Sequence, residues 1–141
     1  STGLKTAPCG GVARGTTPKV FQAGSTITVQ WEETIQHPGH FEFYFSQAND
    51  ANFTLLTTVA DTQDDQNTPH EYSTTLTMPN MNCDNCTLQL IQVMTENPAA
   101  PTNYYSCSDI QLTGGPSTSP PVGAPPAVSG TPTTTPTDCA K

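Results

Sequence analysis

The sequence predicts an all-β protein, an antiparallel β-sandwich of immunoglobulin or fibronectin III type, with an extended Pro/Thr-rich C-terminal tail. Apolar and polar residues alternate from Ile27 to Trp31 and again from Phe41 to Phe45, which is the period-two pattern of half-buried strands. Turn-forming segments separate such runs at short intervals, and no stretch has a helical period. We expect strands at residues 25–33, 41–46, 53–60, 71–78, 86–96 and 104–112, with Trp31, Phe43, Leu88, Leu90 and Ile110 in the core.

Composition divides the chain into three parts. Residues 1–19 carry neither a clear strand nor a helix signal and are expected to form an N-terminal arm, and residues 20–113 form the sandwich domain. Residues 114–141 are rich in Pro, Thr and Ser and have almost no large apolar side chain, so they cannot build a core and should be extended. This tail could be a free linker, a glycosylated stalk, or a segment that contacts a neighbouring molecule.

The charge balance excludes two classes of partner. The chain has 12 acidic against 4 basic residues and a net charge of -8. It has no basic patch to neutralise phosphates or to bind anionic lipids, so we expect neither nucleic-acid nor membrane binding. A low content of charged residues with many Thr, Ser and Asn residues is common in secreted β proteins, and we predict an extracellular location.

The chain contains five cysteines, which suggests an oxidising compartment. Cys83 and Cys86 form a C-x-x-C motif, but a zinc ribbon would need a second such pair and a redox dithiol would need a βαβ unit. We therefore prefer a local disulfide there and a second one between Cys9 and Cys107. Cys139 is left over and could pair with a neighbouring molecule, although five cysteines allow other pairings too.

The turn between the two clearest strands carries two of the three histidines, His37 and His40, on either side of Pro38-Gly39. A histidine at a rigid strand end can bind a metal, and two histidines three residues apart can share one. The simpler hypothesis is a turn histidine without a ligand. The glutamates on neighbouring strands and His70 in its Asp-rich loop are expected to be solvated.

Several short motifs carry a resemblance to a known family. Trp31, Thr34 and His37 form a W-x-x-T-x-x-H pattern, and the run from Tyr104 to Ile110 is an aromatic pair followed by an Asp-Ile strand. With the segments KTAPCGG at residues 5–11 and CTLQLIQVM at residues 86–94, these motifs resemble lytic polysaccharide monooxygenases or the related chitin-binding type 4 domain, in a small secreted bacterial branch.

The resemblance implies a copper brace, in which an N-terminal histidine, a second histidine and an axial aromatic residue surround copper. By motif position, His37 matches the second histidine and Tyr104 matches the axial aromatic residue. Residue 1 is Ser, so a standard brace cannot be built from this sequence as written. His37 is then a vestigial ligand, a ligand in an alternative copper site with His40 and Tyr104, or a turn histidine.

Two functions follow from these features. The first is a secreted structural subunit without a cofactor that assembles with copies of itself, as an oligomer or filament, through its tail and Cys139. The alternative is a copper-dependent lytic polysaccharide monooxygenase, or a polysaccharide-binding relative, whose N-terminal histidine is absent from this sequence. The sequence favours assembly by a small margin. Enzymatic activity is expected only if the alternative is correct.

Overall fold

The structure is a computed structural model that describes residues 3–116. It contains a short 3-10 helix and seven strands. The helix η1 spans Gly3–Lys5, and the strands are β1 (Lys19–Gln22), β2 (Thr26–Glu33), β3 (Gly39–Ser46), β4 (Thr54–Ala60), β5 (His70–Thr77), β6 (Cys83–Met94) and β7 (Thr102–Thr113). No helix in this part of the chain has the length and apolarity needed to cross a membrane.

The strands form two sheets that pack face to face as a β-sandwich. The larger sheet has five strands in the order β1-β7-β6-β3-β4, and the smaller sheet contains β2 and β5. All neighbouring strands are antiparallel except β1 and β7, which are parallel. The predicted all-β sandwich is confirmed, and the parallel β1 is the strand that the sequence did not predict.

The core lies between the two sheets and is built from the alternating residues of the predicted strands. Phe41, Phe43 and Phe45 of β3 are buried, as are Leu88 of β6 and Ile110 of β7. Removing such side chains from water contributes about 1.5–3 kcal/mol each. Trp31 and Leu90, also predicted in the core, pack against it while remaining partly exposed.

Two disulfides join the predicted pairs. Cys9 bonds to Cys107 across 98 positions, and Cys83 bonds to Cys86 within β6. The segment between η1 and β1 lies along the large sheet, because Cys9 ties it to β7 and Arg14 donates hydrogen bonds to the backbone oxygens of Cys86 and Ile110. Cys139 and tail residues 117–141 lie outside the described residues, as does Ser1.

Candidate functional site

The candidate site lies at the end of the sandwich where β2 ends and β7 begins. His37 is in the loop between β2 and β3, and Tyr104 is near the start of β7. Their rings meet edge to face, with centroids 5.9 Å apart and planes inclined by 79°. The structure therefore brings together two of the three side chains that the sequence predicted as a metal site.

The two ring nitrogens of His37 have different environments. Nδ1 makes a hydrogen bond to the carboxylate of Glu96, which follows the end of β6. Nε2 is buried and has no hydrogen-bond partner among residues 3–116. The hydrogen bond with His37 lowers the pKa of Glu96. In the neutral imidazole, an N–H donated from Nδ1 to this carboxylate leaves the lone pair on Nε2. The lone pair of Nε2 is then free for a ligand.

Backbone contacts fix the loop that carries His37. The carbonyl of Pro38 accepts a hydrogen bond of 2.8 Å from the amide of Thr95. Gly39 has a φ of 146°, and a Cβ on it would lie 1.8 Å from the carbonyl oxygen of Val93. Only glycine permits this close approach of β3 to β6, so the loop enters β3 in one defined position.

The N-terminal segment covers Tyr104 from the other side. Helix η1 packs against β7, and the ammonium group of Lys5 lies 5.9 Å from the centroid of the Tyr104 ring. This distance is within the range of a cation–π interaction. Helix η1 therefore lies at the same end of the sandwich as His37.

A buried polar network lies beneath the loop. The carboxylate of Glu33 is 0% exposed and accepts a hydrogen bond of 2.8 Å from Nδ1 of His70, whose Nε2 lies 3.1 Å from Asp65. The hydrogen bonds to Glu33 and Asp65 raise the pKa of His70, and the same contact lowers the pKa of Asp65. Burial raises the pKa of Glu33, and the bond from His70 opposes this shift.

Two hollows follow the exposed edge of β2. One, of about 400 Å³, lies between the sheets and is bordered by apolar side chains together with polar ones such as Gln30 and Gln89. The second, of about 300 Å³, continues to the candidate site, where Leu4, Ile35 and Tyr104 line it. We call the two together the β2 groove. Its main apolar residues are Ile27, Val29, Trp31, Leu88, Leu90 and Ile110.

Comparison with known proteins identifies the family. Residues 4–110 match the protein family described as lytic polysaccharide mono-oxygenase, cellulose-degrading. The chain belongs to this family. The matched range includes all seven strands up to Ile110 and both His37 and Tyr104.

A solved structure supports the fold of this lytic polysaccharide mono-oxygenase family member. The AA10 lytic polysaccharide monooxygenase from Streptomyces lividans aligns with a TM-score of 0.54 and 20% sequence identity, over 68% of this chain and 59% of that one. The present chain thus spans about three-fifths of that protein's length. No curated protein sequence matches it significantly.

Copper is the metal of this mono-oxygenase family, and the chemistry of His37 fits a copper ligand. Imidazole nitrogen suits copper, and metal-binding histidines usually donate their other ring N–H to a carboxylate. Nδ1 with Glu96 and the unpartnered Nε2 reproduce this arrangement. Among residues 3–116, however, no three His, Cys, Asp or Glu side chains are grouped to hold a metal.

His40 has a different environment from His37. It lies on the outer face of β3, where its Nε2 is 2.7 Å from Glu42, and Tyr44 donates a hydrogen bond of 2.9 Å to the same carboxylate. The ring of His40 is therefore held on the outer face of β3 by its hydrogen bond with Glu42.

Two expectations about polar residues were wrong. His70 is 3% exposed and Glu33 is 1% exposed, whereas the sequence analysis placed both in solvent. The period-two pattern of β2 could have identified Glu33, because it lies on the same face as Trp31. Glu96 was also missed, and its position just after a long apolar strand was the only signal.

Proposed function

We propose that the chain takes part in copper-dependent oxidation of polysaccharide, with His37 as a copper ligand and Tyr104 as the aromatic residue beside the metal. The observation that carries this proposal is the unpartnered Nε2 of His37 beside Tyr104. Bound copper would supply the redox chemistry of the oxidation. Family membership supports polysaccharide as the substrate class.

The residues of this chain prepare the ligand atom. Glu96 keeps the proton on Nδ1 and so fixes the tautomer in which Nε2 has its lone pair. Tyr104 packs against the imidazole, and the contacts of Pro38 and Gly39 hold its backbone. A preorganised ligand of this kind loses little conformational freedom when metal binds.

Copper(II) binding tests the proposal directly. We expect calorimetry and electron paramagnetic resonance to show one copper(II) site with nitrogen ligands in the full chain, and His37→Ala to abolish it. His40→Ala is the matched control, since His40 is a nearby histidine bound to Glu42 on the outer face. The proposal fails if His37→Ala binds copper as the full chain does, or if His40→Ala loses the same site.

Oxidation is measured separately from binding. Copper-loaded protein incubated with cellulose, a reductant, and dioxygen or hydrogen peroxide as the oxidant should release oxidised oligosaccharides, which mass spectrometry detects, and His37→Ala should release none. If copper binds at His37 but no oxidised products form from cellulose or chitin, the metal site is supported and the proposed oxidation of polysaccharide is refuted.

Self-assembly through the tail remains a second proposal. It is supported by the composition of residues 114–141 and by the point from which the tail leaves the domain. The amide of Gly115 donates a 2.8 Å hydrogen bond to Asn82, which in turn donates to the carbonyl of Pro116. This contact lies at the end of β7 remote from Tyr104.

A further inference from the structure

One oxygen atom of Glu33 contacts both the loop that carries His37 and the strand beside Tyr104. Oε2 accepts a hydrogen bond of 3.1 Å from the backbone amide of His37 and another of 2.9 Å from the side chain of Gln92. Gln92 is on β6, directly opposite Tyr104 of β7. The same oxygen therefore contacts the His37 loop and the strand beside Tyr104.

The other oxygen of Glu33 faces its counter-charge. Oε1 accepts from Nδ1 of His70, and the amide of Gln36, oriented to satisfy its own neighbours, donates to Oε1 at 3.1 Å. Four donors from β5, β6 and the His37 loop thus converge on one carboxylate that has no exposed side-chain surface. A buried carboxylate is tolerated only when it is paired and hydrogen-bonded in this way.

His70 completes the network by bonding to two carboxylates. Both of its ring nitrogens face acceptors, Glu33 on one side and Asp65 on the other. An imidazole can donate from both nitrogens only as the cation. The positive charge of His70 therefore compensates Glu33 and leaves Oε2 as a full-strength acceptor for His37 and Gln92.

We propose that Glu33 is a positioning residue for the copper ligand His37, acting through the backbone amide of His37 and through Gln92. The inference rests on the proposed copper-dependent function. A purely stabilising ion pair needs only the contact between Oε1 and His70. Sharing Oε2 between the His37 loop and β6 fixes the distance between them, and thereby the position of the imidazole relative to Tyr104.

Glu33→Gln tests this role with almost no change in side-chain size. Glutamine offers one acceptor oxygen and two N–H donors, and donors approach the native carboxylate on both sides. While His70 is the cation it donates to the oxygen of the new amide, which turns the N–H2 group toward the backbone amide of His37, so we expect the His37 amide to lose its partner. Glu42→Gln is the matched control, because Glu42 also binds a histidine and a second donor but lies on the outer face.

The first measurement needs no copper. In the copper-free full chain, nuclear magnetic resonance should show that Glu33→Gln increases hydrogen exchange at the His37 amide about tenfold or more and shifts its ring nitrogen signals, whereas Glu42→Gln changes neither. An unchanged His37 amide and ring in a folded Glu33→Gln protein would overturn the inference. This result is independent of whether copper binds, so it separates failure of the positioning role from failure of the proposed function.

The second measurement uses copper(II). Mutation of groups that hydrogen-bond a metal ligand commonly weakens metal binding 10–100-fold. We therefore expect Glu33→Gln to weaken copper(II) binding by about tenfold or more and to alter the electron paramagnetic resonance spectrum of the bound copper. A variant that only melts at lower temperature, with the native copper spectrum and affinity, would show a structural role alone and refute the proposal. If Glu33→Gln does not fold, Gln92→Leu breaks one of the two Oε2 contacts while the Glu33–His70 pair remains. It should then change the same signals to a smaller extent, and unchanged signals would also refute the proposal.

Discussion

The two disulfides differ in the length of chain that they close, and this difference predicts very different contributions to stability. Cys9–Cys107 links positions 98 residues apart, whereas Cys83–Cys86 links positions three apart. Chain-entropy arguments assign about 4.7 kcal/mol to a loop of ~100 residues and about 2 kcal/mol to a loop of ~4 residues. Replacing each pair by alanine should therefore destabilise the protein unequally, with a difference of about 3 kcal/mol.

The comparison between the pairs has its own control for lost packing. Each pair contains one buried cysteine, Cys9 with 6% and Cys86 with 0% exposure, so removal of the sulfurs costs both variants a similar amount of burial. Urea unfolding of the two double variants measures the difference. With a denaturant slope of about 1–3 kcal/mol/M, the midpoint of C9A/C107A should lie about 1–3 M below that of C83A/C86A.

Equal midpoints, or a lower midpoint for C83A/C86A, would refute the loop-entropy reasoning. They would mean that the unfolded ensemble keeps residual structure, in which noncovalent contacts such as those of Arg14 hold the N-terminal segment near the residues of β6 and β7. A deviation in the denaturant slope of one variant would instead reveal a changed unfolded state, and the slopes must therefore be compared before the midpoints.

Three further predictions concern the core, the buried network and the tail. Phe43→Ala should cost about 3–5 kcal/mol in urea unfolding because Phe43 is buried in the core, whereas Leu55→Ala at an exposed position should stay within about 0.5 kcal/mol, and similar losses would contradict the assigned core. The raised pKa of His70 means that the stability contributed by this histidine is fully present below the unfolded pKa near 6.5 and is lost as pH rises through the folded pKa. The melting temperature should therefore fall from pH 6 to pH 9, and it should fall less steeply in His70→Gln. The same pH dependence of the melting temperature in both proteins would disprove this. The proposed assembly through the tail predicts an oligomer of the full chain and a monomer after deletion of residues 117–141 in light scattering, with Cys139→Ser testing covalent locking, and the same oligomeric state in both chains would exclude the tail as the connector.

The sequence predicted the strands well because their side chains alternate with the period of a sheet. Six strand segments were expected and all six are present, since runs such as Phe41 to Phe45 bury one face against the other sheet. The short β1 was missed because its pairing with β7 is parallel and long-range, and four residues carry too little pattern to predict it.

The site was only partly predictable for a related reason. His37 and Tyr104 were identified by resemblance to a family, and the structure places their rings in contact. Glu33 and His70 were missed because single sequences mark buried carboxylates and histidines as solvated unless the partner is known, and Glu96 was missed because its partner His37 lies 59 positions away. The partner of Glu33 is 37 positions away, and only the β2–β5 register brings the two together.

The open side of β2 has a consequence for what can reach the site. Within residues 3–116, β2 pairs with β5 on one side only, so its other edge presents unpaired backbone groups along the β2 groove. The indole N–H of Trp31, in the middle of β2, also has no partner there. A polypeptide that adds to this edge as a third strand would cover the apolar floor of the groove, and one of its ends would come to rest beside Tyr104. The unpaired edge of β2 and the ring of Tyr104 therefore border the same groove.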